Sequence, residues 1–181
     1  MTDKKELRAR LKALREAITE KEEKSLCITD KLLGMPEVKN AHTLLVFYPK
    51  EGEINLLPIA EYGWREGKRV GFPLCEDKNG RMSFRLVGSV SELHQGSFGT
   101  MEPSKDAPEI SPHSGVIFLP ALAIDKKGYR IGYGKGYYDR YLAEHAHENL
   151  CAIGVIYKDL IFDELPRNKH DIPCRAVVSE D

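Results

Sequence analysis

The 181-residue sequence lacks the features of several large classes of protein. No apolar run approaches the ~20 residues that span a bilayer, and the charged amino terminus has no signal-peptide core. A formal net charge of −1 gives no general attraction to nucleic acid or to an anionic membrane. We therefore expect a cytoplasmic protein that uses neither a membrane nor a nucleic acid as a partner.

Motifs for zinc and for nucleophilic serine chemistry are also missing. The four cysteines are scattered without a C-x-x-C pair, and the six histidines form no H-E-x-x-H. There is no G-x-S-x-G either. These absences favour reduced thiols, and a chain of this length favours one domain, residues 1–181, which we expect to act as a monomer.

What the chain does have is a charged, glycine-rich segment, Gly128-Tyr-Arg-Ile-Gly-Tyr-Gly-Lys-Gly-Tyr-Tyr-Asp139. An apolar run at residues 116–120 precedes it, and a helical pattern begins near Gly136. Glycine permits positive φ, and the first N–H groups of a helix lack intrahelical partners and attract anions. A strand, a glycine-rich turn and a helix in this order predict a phosphate site, although a merely structural turn remains the alternative.

The charges around these glycines favour the phosphate interpretation. Lys135, Arg130 and Arg140 supply positive charge, and Asp139 is placed to hold a Mg²⁺ that bridges phosphate oxygens. The segment is not a P-loop, because Gly136 rather than Ser or Thr follows the lysine. Its spacing, G-x-G-x-G, also differs from the dinucleotide fingerprint.

The amino-terminal region predicts one long helix over residues 3 to about 33, with leucines at helical spacing. Four basic residues lie three or four apart and share a face: Lys4, Arg8, Lys12 and Arg15. For a generic helix such a face is solvated, and this remains one interpretation. The other is that the face packs over a bound anion.

The rest of the chain predicts an α/β fold: a mostly parallel open sheet with helices on both faces, plus an edge β-hairpin. Asn55 and Gly67 are the expected start and stop of a helix, and a second helix should run from residue 136 to about 148. Residues 88–114 predict loops. The predicted strands are residues 43–48, 69–74, 82–87, 115–120, 151–157 and 176–178, the second and third joined by a turn at residues 77–80.

The glycine-rich segment, preceded by Leu119-Pro-Ala-Leu-Ala-Ile-Asp125, resembles the signature of the 5-formyltetrahydrofolate cyclo-ligase family. The resemblance covers essentially the whole chain. It includes Lys4-Lys-Glu-Leu-Arg8, Gly52-Glu-Ile54, the stretch from Phe98 to Met101-Glu-Pro103, and His170-Asp-Ile-Pro173. These shorter matches mean little alone.

The resemblance implies a cyclisation of 5-formyltetrahydrofolate to 5,10-methenyltetrahydrofolate that depends on ATP and Mg²⁺ and releases ADP and phosphate. It makes Lys135 and Arg130 catalytic, Asp139 the Mg²⁺ ligand, and Glu53 the carboxylate that binds the reduced pterin. The implied ATP-binding residues are Lys4, Arg8, Arg130, Gly132, Tyr133, Gly134, Lys135, Gly136, Tyr137 and Tyr138. The implied substrate-binding residues are Tyr48, Glu53, Tyr133, Gly134, Lys135, Gly136 and Tyr137.

One position departs from the family pattern. Where the family commonly has a second Mg²⁺ aspartate, this chain has Arg175. Asp171 could replace it, Asp139 with phosphates and waters could suffice, or Arg175 could contact phosphate; we favour the second. A non-catalytic nucleotide or folate binder and a small-molecule kinase remain alternatives to the cyclo-ligase.

Overall fold

The computed structural model describes residues 4–77, 79–96, 99–111 and 113–181. Residue 3, Lys78 and Phe98, which belong to the helix, turn and loop predicted above, lie outside these ranges, as do Ser97 and Pro112 of the predicted loop region. The helices are α1 (Lys4–Ala17), α2 (Lys21–Gly34), α3 (Pro36–Asn40), α4 (Leu57–Arg65) and α5 (Tyr137–Glu144). Short 3₁₀ turns occur at Val90–Glu92 and Lys158–Leu160.

The strands are β1 (Thr43–Leu45), β2 (Arg69–Cys75), β3 (Met82–Leu86), β4 (His94–Gln95), β5 (Met101–Glu102), β6 (Ser114–Leu119), β7 (Ala123–Asp125), β8 (Arg130–Ile131), β9 (Asn149–Val155), β10 (Ile161–Phe162) and β11 (Ala176–Val178). Helices α1 to α3 precede the first strand, α4 follows β1, and α5 lies between β8 and β9.

Within the described residues, the central sheet has the order β11-β9-β6-β1-β2-β3. All neighbours are parallel except β2 and β3, which form the antiparallel hairpin at one edge. The sheet is apolar because helices cover it on both sides. Strand β6, one of the two middle strands, buries Val116 through Leu119. The predicted mostly parallel sheet and edge hairpin are therefore confirmed.

The contacts of α4 and α5 show that helices lie on both faces of the sheet. The indole of Trp64 in α4 stacks on Phe72 of β2, with ring centroids 6.4 Å apart. The ring of Tyr141 in α5 meets Phe84 edge-on at 5.0 Å, and Phe84 is directly opposite Pro73 in the hairpin. Successive residues of a strand point to opposite faces, so Phe72 and Pro73 place the two helices on opposite sides.

The predicted single helix over residues 3–33 is wrong, because the chain turns between α1 and α2. Glu20 takes a left-handed conformation there, with φ 57°. The buried stripe nevertheless continues through the turn, from Leu11 and Ile18 to Ile28 and Leu32. Leu11 packs in a small cluster beside β7 and β8, whereas Ile28 and Leu32 belong to the main core. One apolar pattern thus serves two clusters, and because it continues past residue 18, though less regularly, it conceals the turn.

Other predicted bounds differ by a few residues. Strand β1 ends at Leu45 rather than residue 48, although Val46 N–H still bonds to Gly71 O at 2.9 Å. Helix α5 ends at Glu144 rather than near 148. At the start of α4, Asn55 Oδ1 accepts a hydrogen bond from Leu57 N–H at 3.0 Å, as expected of a capping residue.

A second sheet, β10-β7-β8, has no counterpart in the sequence prediction. Its strands are two or three residues long, too short to show a period. Buried Asp125 organises the turn between β7 and β8 by accepting hydrogen bonds from the N–H groups of Lys127 (2.9 Å) and Tyr129 (3.0 Å). This small sheet leads directly into the glycine-rich loop.

Candidate active site

A cleft of about 520 Å³ opens at the carboxyl ends of the parallel strands. Phe47 and Tyr48 follow β1, Cys75 ends β2, and Pro120 follows β6, and all four side chains line this cleft. Parallel strands place their carboxyl ends at one edge of a sheet, where α/β proteins bind ligands. The opposite wall is the glycine-rich loop, residues 132–136, with the start of α5.

The glycine-rich loop has the backbone that its glycines predict. Gly134 and Gly136 have φ values of 102° and 70°, in the region that favours glycine. Gly136 is the amino-terminal cap residue of α5, and in the described chain no side chain caps that end of the helix. The first N–H groups of α5 are therefore placed to receive an anion in the cleft.

Two arginines hold the loop from either side. Arg8 Nε donates to Gly132 O at 3.0 Å, and its guanidinium lies so close to Gly134 that a Cβ there would be 3.1 Å from Arg8 Cζ. Arg140 Nη1 donates to Lys135 O at 2.6 Å. The Lys135 side chain itself is exposed at the cleft and makes no ion pair with any described residue. The structure thus leaves this ammonium group available to a ligand.

Arg130 lines the cleft, but its guanidinium is already engaged. Its side chain is only 4% exposed. It donates to Asp139 Oδ1 and to Ile172 O, both at 2.8 Å. In this arrangement Arg130 positions Asp139 and the His-Asp segment, and a direct contact with phosphate stays a prediction.

Asp139 and Asp171 line the same part of the cleft. Asp139 Oδ1 accepts from Arg130 and from Ile172 N–H. Asp171 Oδ2 accepts from Asn168 N–H at 2.6 Å and pairs with Lys4 Nζ at 3.4 Å. Arg175 is not among the cleft-lining residues. Of the three interpretations of position 175, a contact between Arg175 and phosphate in this cleft therefore has no support in the geometry.

Glu53 sits at the inner end of the cleft in a hydrogen-bond network that joins it to the glycine-rich loop. Its Oε1 accepts from the hydroxyl of Tyr133, and its Oε2 accepts from Lys50 N–H at 2.8 Å. Arg15 Nη1 donates to the same Tyr133 hydroxyl at 2.6 Å and lies 3.9 Å from Glu53 Oε1. Burial, then the Glu53 charge, raises the pKa of Tyr133, so the phenol stays protonated and donates to the carboxylate.

Of the predicted site residues, the structure brings every one into this cleft: Lys4, Arg8, Tyr48, Glu53, Arg130, Gly132, Tyr133, Gly134, Lys135, Gly136, Tyr137, Tyr138 and Asp139. Their individual roles stay predictions. What the geometry adds is that segments distant in sequence form one continuous surface, polar along the loop and apolar along the strand ends.

Comparison with known proteins identifies the family. The sequence profile of the 5-formyltetrahydrofolate cyclo-ligase family matches residues 1–180. The chain belongs to this family. It is 34% identical over 152 residues to the 5-formyltetrahydrofolate cyclo-ligase of Escherichia coli K12. The matched region covers 82% of this chain and 84% of the relative. The mouse 5-formyltetrahydrofolate cyclo-ligase is 30% identical over 186 residues, with 97% and 91% covered.

A solved structure agrees with this assignment. The NMR structure of Aquifex aeolicus 5,10-methenyltetrahydrofolate synthetase superposes with a TM-score of 0.82 at 33% identity, over 98% of this chain and 89% of that one. The predicted family and fold class are therefore confirmed, as is the prediction of an ATP-dependent ligase. Within the described residues, no helix combines the length and apolar composition that a membrane crossing demands.

Sequence reasoning missed several side chains that this cyclo-ligase cleft contains. The spacing of the basic residues predicts a shared face that includes Arg15, yet Arg15 lies four residues after buried Leu11 and is itself 9% exposed. That position on the apolar stripe was the available signal. Lys50, Cys75 and Glu102 also line the cleft. No local motif distinguishes Lys50 or Cys75, whereas Glu102 lies in the Met101-Glu-Pro103 stretch that resembles the family, without a predicted role of its own. Burial, then the Glu102 charge, raises the pKa of the Cys75 thiol to about 11.

Proposed function

We propose that the chain catalyses the ATP- and Mg²⁺-dependent cyclisation of 5-formyltetrahydrofolate to 5,10-methenyltetrahydrofolate, releasing ADP and phosphate. The observation that carries the proposal is that one cleft, in a chain of this family, contains both a carboxylate suited to a pterin and a glycine-rich loop suited to phosphates. Tyr133 connects the two by its hydrogen bond to Glu53. The two ligands would meet between them.

On the folate side, Glu53 would bind the amino-pyrimidinone edge of the pterin. That edge is a planar pair of N–H donors, and a carboxylate can accept from both. The Tyr133 hydroxyl and Lys50 N–H fix the plane of the Glu53 carboxylate before the ligand arrives. Tyr48, partly buried at the end of β1, offers a ring on which the pterin can stack.

On the nucleotide side, the loop and α5 would hold the triphosphate of ATP. The N–H groups at the start of α5 face an anion, and Lys135 supplies a mobile positive charge. Lys4 and Arg8 line the same wall from α1. Lys135 makes no ion pair with a described residue. We therefore assign its ammonium group to the γ-phosphate, whose charge it would stabilise during transfer to the formyl oxygen.

Asp139 is the residue that we assign to Mg²⁺. Both of its hydrogen bonds to described residues are at Oδ1, so Oδ2 is left for a cation. In the described part of the chain no three His, Cys, Asp or Glu side chains cluster as a metal site. Mg²⁺ commonly takes one or two carboxylates plus phosphates and waters, so this donor set fits it. When bound, the ion would neutralise charge on the phosphate oxygens.

The chemistry that these residues support is transfer of the γ-phosphoryl group to the formyl oxygen. The oxygen of a formamide is a poor leaving group, and its phosphorylation turns it into a good one. N10 of the folate then attacks the formyl carbon, and phosphate leaves. The cleft has to align the two ligands and to balance charge, which residues at opposite walls are able to do.

The test is an absorbance assay with the purified protein, 5-formyltetrahydrofolate, ATP and MgCl₂. The conjugated methenyl product absorbs in the near ultraviolet, where the substrate does not, and we expect this band to grow in proportion to ADP. Binding of both ligands without the band would instead support a non-catalytic binder. ADP release without dependence on the folate would support a kinase that acts on another acceptor.

A further inference from the structure

Among the described carboxylates that line the cleft, Glu102 has the weakest hydrogen bonding from N–H groups. Among the described residues, the other three cleft carboxylates each accept an N–H hydrogen bond of 2.8 Å or shorter: Glu53 from Lys50, Asp139 from Arg130 and Asp171 from Asn168. The donors that face Glu102 are the hydroxyl of Thr100, at 3.4 Å, and the thiol of Cys75, which is a weak donor. Glu102 therefore keeps most of its capacity to accept hydrogen bonds from a ligand.

The carboxyl group of Glu102 is confined. The residue belongs to β5 and is 5% exposed. Gly96 lies against its carboxyl group, where a larger residue would collide with it. Met82 and Met101 also line the cleft, and no described cation forms a salt bridge with Glu102. A buried carboxylate without a cation partner is costly, so its retention in a cleft points to a role with a ligand.

The thiol of Cys75, which interacts with Glu102, is protonated at neutral pH. Burial, then the Glu102 charge, raises the pKa of this thiol to about 11, and Lys50 lowers it only as a minor influence. The thiol therefore cannot serve as the base.

The proposed reaction requires a base at one point. When the secondary amine N10 attacks the formyl carbon, it carries a hydrogen that the methenyl product lacks. We propose that Glu102 is the general base that removes this N10 proton, a role that rests on the cyclisation proposed above. The N10 lone pair forms the C–N bond, the N10–H bond breaks toward a Glu102 carboxylate oxygen, and the C–O bond breaks with its electron pair leaving on phosphate.

The proton balance closes without any further reactant. Glu102 gains the proton of N10 and afterwards releases it to the departing phosphate or to water. The reaction thus converts formyl-folate and ATP into methenyl-folate, ADP and phosphate. Glu102 acts only after phosphoryl transfer, whereas Lys135 acts during it, so the two steps can be separated by experiment.

The experiment is a single-turnover comparison of the wild type with Glu102→Gln, in which ADP and the methenyl absorbance are followed in the same reaction by rapid quench and stopped flow. We expect Glu102→Gln to form ADP at close to the wild-type rate and the methenyl band about 100-fold more slowly, which is a usual contribution of a general base. Glu109→Gln is the matched control, because Glu109 is a largely exposed carboxylate outside the cleft. It should behave as the wild type.

A second variant separates catalysis from packing. Glu102→Ala leaves space at the carboxylate position, so added formate should restore its methenyl rate several-fold. Formate should do nothing for Lys135→Ala. Two results would overturn the role of Glu102. One is an equal rate of methenyl formation in the wild type and Glu102→Gln. The other is an equal loss of ADP formation and of ring closure in Glu102→Gln, together with no rescue of Glu102→Ala by formate. Failure of the wild type to form the methenyl band would instead refute the proposed function.

If Glu102→Gln does not fold, as judged by circular dichroism, the formate experiment on Glu102→Ala decides alone. If neither variant folds, the shorter carboxylate in Glu102→Asp provides the test. We then expect ring closure slower than ADP formation in that variant and equal rates of both in Glu109→Gln. Ring closure that keeps pace with ADP in Glu102→Asp would count against the proposal.

Discussion

Arg15 Nη1 and the hydroxyl oxygen of Tyr133 are 2.6 Å apart, although 118 positions separate these residues in the sequence. The same hydroxyl donates to Glu53. Tyr133 therefore receives one hydrogen bond from helix α1 and gives one to the carboxylate that we assign to the pterin. Tyr133 also belongs to the glycine-rich loop, so its hydroxyl joins the loop directly to Glu53 and Arg15.

Replacement of Tyr133 by phenylalanine tests this connection. Loss of the hydroxyl removes both hydrogen bonds and leaves Glu53 Oε1 without its donor, so we expect the folate KM to rise about tenfold, the equivalent of ~1.4 kcal/mol, with a smaller change in the ATP KM. Steady-state kinetics with each substrate varied would measure this. Tyr129→Phe is the control, because that ring contacts Arg167 outside the cleft. Equal effects of both variants would contradict the network.

Lys135→Ala should lower turnover far more than it weakens folate binding. The ammonium group is assigned to the transferring phosphoryl group, and loss of one such contact costs about 10²- to 10³-fold in kcat. Isothermal titration with the folate should give a dissociation constant within about threefold of wild type. The control is Lys127→Ala, which removes an exposed lysine paired with Glu164 beyond the cleft. Comparable losses in turnover and folate binding would indicate a mainly structural role.

Asp139→Asn should have two separable effects. The variant weakens a Mg²⁺ site, so activity should be partly recovered at high MgCl₂. It also leaves the buried guanidinium of Arg130 without its carboxylate, which should destabilise the protein by about 1–3 kcal/mol. We expect added MgCl₂ to restore turnover but not the melting temperature. Recovery of neither would show that Asp139 serves only as the partner of Arg130.

A pair of glycine substitutions tests the packing of α4 on the sheet. A Cβ at Gly63 would lie 2.6 Å from Val70 Cγ2 and 3.2 Å from Leu44 Cδ1, so Gly63→Ala should cost about 1–3 kcal/mol of unfolding free energy. Gly34→Ala has nothing within 4 Å of its new methyl group and should be neutral or slightly stabilising. Urea denaturation would measure both, and equal stabilities would contradict the close contact of α4 with β1 and β2.

The parts of the fold that could be predicted are those with a local signal. The run from Val116 to Leu119 is apolar without alternation, and it belongs to β6, one of the two middle strands of the sheet. The alternate glycines at 132, 134 and 136 likewise indicated the loop. The turn at Glu20 could not be predicted, because the buried stripe is periodic on both sides of it and only the separation of two core clusters requires a turn.

The unpredicted part of the site depends on contacts between distant segments. Glu102 enters the cleft because β4 and β5 pair locally and β5 packs against β2, and two-residue strands give no periodic signal. Arg15 becomes buried only when Tyr133 and Glu53 are brought to it. Arg15 has an ordinary sequence context, and the short family match around Glu102 gives that residue no role, so the role of each follows from the tertiary structure.

The ion pair between Lys4 and Asp171 joins residues 167 positions apart across the nucleotide wall of the cleft. Closing so long a stretch of chain demands that nearly all of the polypeptide already be in place. The same short stretch of chain, from Asp171 to Val178, also supplies β11, the edge strand that pairs with β9. The nucleotide wall and this edge of the sheet should therefore form together, as late events of folding.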